Sequence, residues 1–198
     1  MKLGTSTIIL IALVGLIAIL GLWTCNSYNK LVSLDEQCIS QWAQVENVYQ
    51  RRADIVGQMI GTIKGETEFE QETLTKVIEA RASATQIRID PSNMTEEQLQ
   101  KWDEAQYTLG NTLSRLLMVS EQYPTLQANQ GFRDLRTTIE GNENRITQER
   151  RKFIEVVRDY NTFRRRFPQV LISGGFPPRP TFESRPGTDV APEVDFSK

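Results

Sequence analysis

The first 23 residues hold the feature that most limits how this chain can fold. Residues 3–23, LGTSTIILIALVGLIAILGLW, form a run of 21 residues without a charged side chain. About 20 apolar residues in a helix cross the hydrocarbon layer of a membrane, and a terminal Trp suits the interface. A cleaved signal peptide or a lipoprotein signal at Cys25 are the alternatives, but the apolar run is long and no small-residue cleavage site follows. We therefore expect a retained single-pass anchor over residues 1–25.

The charges that flank this segment favour one orientation by a small margin. Lys2 and the α-amine precede the segment and Lys30 follows it. Because positive charge is retained on the cytoplasmic side, the difference of about one charge favours an extracytoplasmic domain. The small residues of the segment are spaced by three rather than four, so a homo-oligomer is allowed but not implied.

The rest of the chain shows apolar residues separated by threes and fours, which is the period of an amphipathic helix. The first such stripe continues the anchor helix to about residue 63, and a second predicted helix covers residues 66–88. Thr95 and Gln98 form a capping box that opens a third helix, which stops at Tyr123. A fourth runs from about 126 to 167, with Phe167 on its apolar stripe, and Pro168 ends it.

These patterns predict an all-α fold. Residues 26–168 are expected to form an elongated antiparallel bundle of about four helices, two of them long. Residues 169–198 contain five Pro and show no period, which predicts an irregular tail. Three aromatic residues of this tail are candidate docking anchors, namely Phe176, Phe182 and Phe196.

The composition removes most catalytic chemistry. The chain has no His, so it lacks the commonest general base and the commonest metal ligand. No phosphate-binding loop, dinucleotide fingerprint or nucleophile elbow occurs. The two Cys residues, Cys25 and Cys38, match no zinc or disulfide pattern. We expect a protein that is not an enzyme and that uses no metal or cofactor.

The stretch from 142 to 168 raises the question of nucleic acid, because it holds eight Lys/Arg and only four Asp/Glu. The whole chain nevertheless carries a net charge of −2, so acidic partners exist within the molecule. Acidic residues such as Glu149 also stand one helical turn from basic ones such as Arg145, which predicts local pairing. A nucleic-acid partner is therefore not expected.

Several charged residues fall in clusters where helices should meet. One reading is buried interhelical ion pairs that fix the register of the bundle, and the other is a pocket for a ligand or substrate. The candidates are Arg52, Asp54, Glu79, Arg81, Glu143, Arg145, Arg158 and Asp159.

A compact basic cluster closes the fourth predicted helix, formed by Arg164, Arg165 and Arg166. Positive charge at this position suits the end of a helix. In an antiparallel bundle this end also returns toward the membrane, so contact with anionic lipid headgroups is the second reading.

Several motifs stand in an order that resembles the LemA family of bacterial membrane-anchored helical proteins. They are RRAD at 51–54, EARA at 79–82, ENRI at 143–146, VRDYN at 157–161 and RRFP at 165–168. The likeness covers residues 26–196. The family usually has Pro soon after RRAD, where this chain has Gly57, so a Pro kink is not expected here.

The resemblance implies a membrane helix followed by a long antiparallel bundle, in the bacterial cytoplasmic membrane, without an established catalytic activity. Some members are similar to a protein linked with magnetosome membranes, and some occur beside membrane proteases of the HtpX type. Our leading hypothesis is a non-enzymatic scaffold of the cell envelope that binds partner proteins. The alternatives are a small-ligand sensor or enzyme that uses the Arg/carboxylate clusters, and a protein that binds the lipid surface.

Overall fold

The fold is seen in a computed structural model that describes residues 4–65 and 69–183. Two 3-10 helices, Gln169–Leu171 and Ser173–Gly175, end the described helical structure. Within the described residues there is no strand, and the all-α prediction is confirmed. The α-helices are α1 (Thr5–Ile63), α2 (Gln71–Gln86), α3 (Glu96–Ser120), α4 (Pro124–Ala128) and α5 (Gln130–Arg165).

Helix α1 is one continuous element with two different environments. Its side chains from Ile9 to Leu22 stand outside the bundle, and those two residues are 61% and 74% exposed. Beyond Ser27 the helix turns buried residues toward the other helices, beginning with Leu31. The helix is long and apolar enough near the N-terminus to cross a membrane. A candidate transmembrane helix therefore lies where the sequence predicts it.

The long helices α1 and α5 pack side by side in opposite directions, while α2 packs against α1 and α3. Gln41 Nε2 donates to Glu149 Oε2 at 2.7 Å, and Asn142 Nδ2 donates to the carbonyl oxygen of Val48 at 3.1 Å. A step of seven residues forward along α1 thus matches seven residues back along α5. Helices α1 and α5 are therefore antiparallel, as predicted.

The ends of the helices follow local capping chemistry. The predicted capping box is present, because Thr95 Oγ1 accepts from the Gln98 N–H at 3.2 Å and Gln98 Oε1 accepts from the Thr95 N–H at 3.0 Å. The prediction of one helix from 126 to 167 is wrong. Asn129 is extended, and its Oδ1 accepts from the Phe132 N–H at 3.1 Å, which starts a new helix. Helix α5 also ends at Arg165, so Phe167 lies beyond it and is 80% exposed.

The apolar core consists of two clusters. The cluster nearer the apolar half of α1 is rich in aromatic rings, including Trp42, Trp102 and Phe153. The farther cluster is mainly aliphatic and includes Met59 and Leu109. Between them lie three buried polar residues, which we call the polar layer: Arg52, Gln106 and Asn142.

The first part of the predicted irregular tail is ordered against the bundle. Residues 176–183, here called the tail strap, run back along α5 toward the aromatic cluster. Phe182 is 8% exposed and Phe176 is partly buried, so both act as the predicted docking anchors. Phe196, the third predicted anchor, lies outside the described residues.

Candidate functional site

A cleft of about 690 Å³ opens between α3 and α5 at the level of the polar layer. Helix α3 packs mainly on α2 and α5 packs mainly on α1, so the backbones of α3 and α5 approach each other less closely than the members of those pairs. Polar groups of α1 reach the floor, and apolar groups such as Leu113, Leu117 and Ile139 line the walls. Charged and apolar groups thus converge in this cleft.

Arg52 forms the centre of the floor and is 4% exposed. Its Nη2 donates to the Gln106 carbonyl oxygen at 2.7 Å and to Gln106 Oε1 at 2.9 Å. Its Nη1 lies 3.4 Å from Glu143 Oε1, and the guanidinium stands 4.8 Å from the centre of the Tyr49 ring. One side chain of α1 therefore connects α3 and α5 across the cleft.

Two buried polar atoms of the layer have no hydrogen-bond partner in the described part of the chain. They are Arg52 Nε and Asn142 Oδ1. Most buried polar atoms in proteins are satisfied, so each such atom calls for a physical reason. Arg52 lines the cleft, so water or a bound acceptor there would satisfy its Nε, whereas Asn142 does not line the cleft.

Arg150 is the second cation of the cleft. Its Nη1 donates to the Tyr49 hydroxyl at 3.0 Å, and it forms an ion pair with the Asp103 carboxylate. Its guanidinium lies 3.8 Å from the centre of the Phe182 ring, which joins the cleft to the tail strap. Burial raises the pKa of Tyr49, against the opposing effect of Arg150, so this hydroxyl stays protonated.

Burial by itself would lower the pKa of Arg150, but Tyr49 and Asp103 more than offset this, and the net pKa is raised. The guanidinium therefore stays charged. A floor of two charged guanidinium groups and a neutral phenol can donate hydrogen bonds to carboxylate, phosphate or peptide carbonyl oxygens. This chemistry is suited to binding.

The sequence-predicted charged residues do not all meet. Arg52 and Glu143 are brought together in the cleft. Asp54, from the same motif as Arg52, is exposed and accepts a hydrogen bond from Gln50 at 2.9 Å. Arg81 is half-buried and its Nε donates to the Ala53 carbonyl oxygen at 2.7 Å, so it links α2 to the backbone of α1.

The remaining candidates lie on the surface, which corrects their expected burial. Glu79 and Arg145 are exposed. Arg158 and Asp159 pair at 3.5 Å, but their side chains are 68% and 64% exposed. They lie on the side of α5 opposite Val157 and Tyr160, and an ion pair so exposed contributes little to stability.

The predicted pairing within α5 also changes, because Glu149 contacts Gln41 and Lys152 rather than Arg145. At the end of the helix, Arg164 Nε donates to the carbonyl oxygen of Phe176, which belongs to the tail strap. Arg165 and Arg166 are exposed. The three arginines therefore have two different environments.

Sequence reasoning missed the α3 side of the cleft. Gln106 continues the apolar stripe of α3 at the same three- and four-residue spacing, which was the available signal of its burial. Asp103 had no such signal. The pair of Arg179 Nε and Asp35 Oδ1, 2.5 Å apart, was also missed because it joins the tail strap to α1 across 144 residues.

Comparison with known proteins places these features in a family. The chain is similar to the magnetosome protein MamQ of Magnetospirillum gryphiswaldense, with 23% identity over 189 residues, covering 84% of this chain and 70% of that protein. It is equally similar to MamQ 1 and MamQ 2 of Paramagnetospirillum magneticum, with 23% identity over 181 residues, covering 82% of this chain and 66% of each relative.

The chain thus spans about two thirds of the length of these curated relatives. The family model described as LemA family matches residues 41–196, which include most of the bundle and the whole tail strap. Because this match covers well over half of the chain, the protein belongs to the LemA family.

Proposed function

We propose that this protein is a membrane-anchored helical scaffold that holds a partner protein in the cleft between α3 and α5, without catalysing a reaction. The observation that carries the proposal is the cleft itself. An antiparallel bundle normally closes its long sides, whereas here two helices stay apart over a braced polar floor.

The anchor supports a role at a membrane. The side chains from Ile9 to Leu22 are exposed around the whole circumference of α1, and hydrocarbon would remove this apolar surface from water. We assign the chain to the bacterial cytoplasmic membrane, with the bundle on the extracytoplasmic side. The relatives are named as magnetosome proteins, which supports a membrane-associated role of the same kind.

The dimensions of the cleft suit a helical segment of a partner. On α3 the lining runs from Asp103 to Leu117, which is roughly 21 Å of helix at 1.5 Å per residue. Apolar walls with charged groups on the floor are what an amphipathic helix needs in a groove. We therefore propose a helical segment of an envelope protein as the occupant, and membrane proteases of the HtpX type are the first partners to test.

A photo-crosslinking experiment in native membranes tests the site. The full chain carries a photoreactive residue either at Tyr107, on the cleft wall, or at the next residue, Thr108, which is exposed outside the cleft. We expect crosslinks to one envelope protein from position 107 and none to that protein from 108. Equal crosslinking from both positions, or none from 107, contradicts the proposal.

A matched pair of substitutions then separates specific from incidental capture. Ser114→Arg places a bulky charge at an exposed position of the cleft, and Asn111→Arg places the same charge on α3 outside it. With the captured partner purified and reconstituted beside the full chain, binding should fall at least tenfold for Ser114→Arg, about 1.4 kcal/mol. Binding should be unchanged for Asn111→Arg.

A second function, recognition of a small anionic ligand, is favoured by one observation, the unpartnered donor Arg52 Nε of a residue that lines the cleft. A bound carboxylate or phosphate would raise the thermal midpoint of the full chain by mass action. The same compound should not raise the midpoint of Arg52→Lys, which keeps the charge but loses the planar donor fork. If no carboxylate or phosphate shifts the midpoint of the unaltered chain, this second function is excluded.

A further inference from the structure

The end of α5 and the first 3-10 helix present a group of exposed apolar residues beside exposed arginines. Phe167, Val170 and Leu171 are 80%, 47% and 72% exposed, and none of them lines the cleft between α3 and α5. Arg165 and Arg166 precede them directly and are also exposed. We call these five residues the foot of the bundle.

The register of the two long helices fixes the height of the foot. Gln41 meets Glu149 and Val48 meets Asn142, so each residue gained along α1 is one residue lost along α5. Both helices are continuous and rise by the same step per residue. Carried to the end of α5, this register brings Arg165 level with Cys25, two residues past the apolar segment 3–23 of α1.

Contacts near this end agree with that height. The rings of Tyr28 and Phe176 meet edge to face with their centres 5.4 Å apart, and the Phe176 carbonyl oxygen accepts from Arg164. Among the described side chains of α1, Trp23 and Thr24 are the first that are partly covered. The foot therefore lies where α1 leaves its apolar segment.

The chain segments that meet at this end of the bundle contain basic residues but no acidic ones. Residues 1–34 contain no Asp or Glu, and neither do residues 160–182. Lys30, Arg165 and Arg166 are exposed there. Anionic headgroups attract such positive clusters within a Debye length of the surface, and apolar side chains beside them enter the boundary between headgroups and acyl chains.

We propose that the foot is a second membrane contact, in which Phe167, Val170 and Leu171 enter the lipid interface and Arg165 and Arg166 bind anionic headgroups. Arg164 takes no part, because it holds the tail strap. The bundle would then rest on the membrane at two points rather than turn freely on α1. This inference rests on the proposed anchoring of α1, and the experiment below tests the two separately.

Depth-dependent quenching in liposomes provides the test. The full chain carries Cys25→Ser, and the buried Cys38 is kept, since burial raises its pKa to about 11 and leaves it unreactive at neutral pH. An environment-sensitive fluorophore is attached through Leu171→Cys in the foot or Met118→Cys on α3. These positions are 72% and 69% exposed, so Met118 is a matched apolar control far from the membrane. A third label, through Leu16→Cys, reports the span.

Nitroxide-labelled lipid should quench the labels at positions 16 and 171 and leave the label at 118 unquenched. Quenching at 171 should increase when phosphatidylglycerol is added to phosphatidylcholine vesicles. Arg165→Gln and Arg166→Gln should each weaken docking by roughly fivefold in the anionic vesicles. The thermal midpoint should not change, because both side chains are exposed.

The other outcomes are distinct. Quenching at position 16 with none at 171 overturns the foot and leaves the anchor in place. Absence of quenching at both positions overturns the anchor and the foot together. If quenching at position 171 changes neither with anionic lipid nor with either arginine substitution, the headgroup role of Arg165 and Arg166 is overturned.

Discussion

Arg52 is the residue that connects the most elements in the middle of the bundle. From α1 it bonds to the backbone and side chain of Gln106 on α3 and faces Glu143 on α5. Gln106 in turn donates to the Ala84 carbonyl oxygen of α2 at 3.0 Å. A buried guanidinium costs desolvation energy, which these fixed acceptors offset. The residue therefore specifies how the helices are aligned more than it adds net stability.

Arg52→Ala should lower the free energy of unfolding by about 1–3 kcal/mol, because the buried Gln106 acceptors lose their donor. Arg51→Ala is the matched control, since its side chain is next in sequence but exposed, and a change within about 0.5 kcal/mol is expected. Urea unfolding of both variants in detergent measures the difference. Equal stability of the two variants would show that the polar layer does not set the register.

Cys38 shows how burial changes the chemistry of one residue. It is 1% exposed within the aromatic cluster. Burial raises the pKa of its thiol to about 11, with Arg179 acting in the opposite direction and Asp35 in the same direction. The folded protein therefore keeps this proton at a pH where the unfolded chain has lost it.

The sign of the resulting pH effect follows from linkage. The stabilisation from Cys38 is complete below the ordinary pKa of 9.0 and is lost as the pH rises toward about 11. The free energy of unfolding should thus fall between about pH 8 and about pH 10, and less so in Cys38→Ala. Urea titrations of the unaltered protein and of Cys38→Ala at the two pH values measure this difference. An equal fall in the free energy of unfolding of both proteins would contradict the prediction.

At the scale of elements, the tail strap unites parts of the fold that are far apart in sequence. Tyr160 donates its hydroxyl hydrogen to the Pro177 carbonyl oxygen at 2.7 Å, and Asn161 bonds twice to the backbone of Arg179. The Arg179 side chain pairs with Asp35 of α1 and donates to the Pro91 carbonyl oxygen of the turn before α3. The strap is thus bound to α5, α1 and this turn.

Phe182 anchors the far end of the strap. Its ring centre lies 5.5 Å from that of Phe153 and 6.2 Å from that of Trp42. Phe182→Ala should cost about 3–5 kcal/mol, because it leaves a cavity in the aromatic cluster beneath Arg150.

Phe167→Ala is the control, at 80% exposure, and should change stability by less than about 0.5 kcal/mol in detergent. Thermal unfolding followed by Trp fluorescence compares the variants, since Trp42 adjoins the altered site. A loss no larger for Phe182→Ala than for the control would mean that the strap is not part of the cooperative unit.

The whole molecule has two parts that share helix α1, namely an apolar segment with exposed side chains and the helical bundle. The described side chains from Ile9 to Leu22 are exposed, while the bundle core begins near Leu31. Removal of the exposed apolar segment should therefore leave the packing of the bundle intact. This independence is what a membrane anchor and its attached domain require.

The full chain should stay with membranes after carbonate and high-salt washes. A variant that lacks residues 2–22 should be released by the salt wash, because only the weaker contact of the foot would remain. Its thermal midpoint should lie within a few degrees of that of the full chain, since the described side chains of the removed segment, from Ile9 to Leu22, are exposed. Fractionation and circular dichroism provide the two measurements. Retention of the variant on salt-washed membranes would contradict the role of α1.

Much of this fold follows from the sequence because helix periodicity and capping are local. The stripe that begins at Leu31, the capping box at Thr95 and the apolar span were all predicted from neighbours within a few residues. The break at Asn129 was missed, although Asn is a strong N-cap, because the apolar spacing continues across it. Arg52 was among the charged residues predicted to lie where helices meet, and it is buried there.

The sequence by itself determined the helical class, the candidate membrane span and the face of each helix that is apolar. The tertiary structure alone decided which charges meet. Arg158 and Asp159 were candidates for buried ion pairs, as Arg52 was, yet they lie on the outer face of α5. The cleft, the tail strap and the foot depend on the placement of elements tens of residues apart, through side-chain packing that no local pattern encodes. Helix formation is a short-range property, whereas the meeting of helices is decided by the whole core.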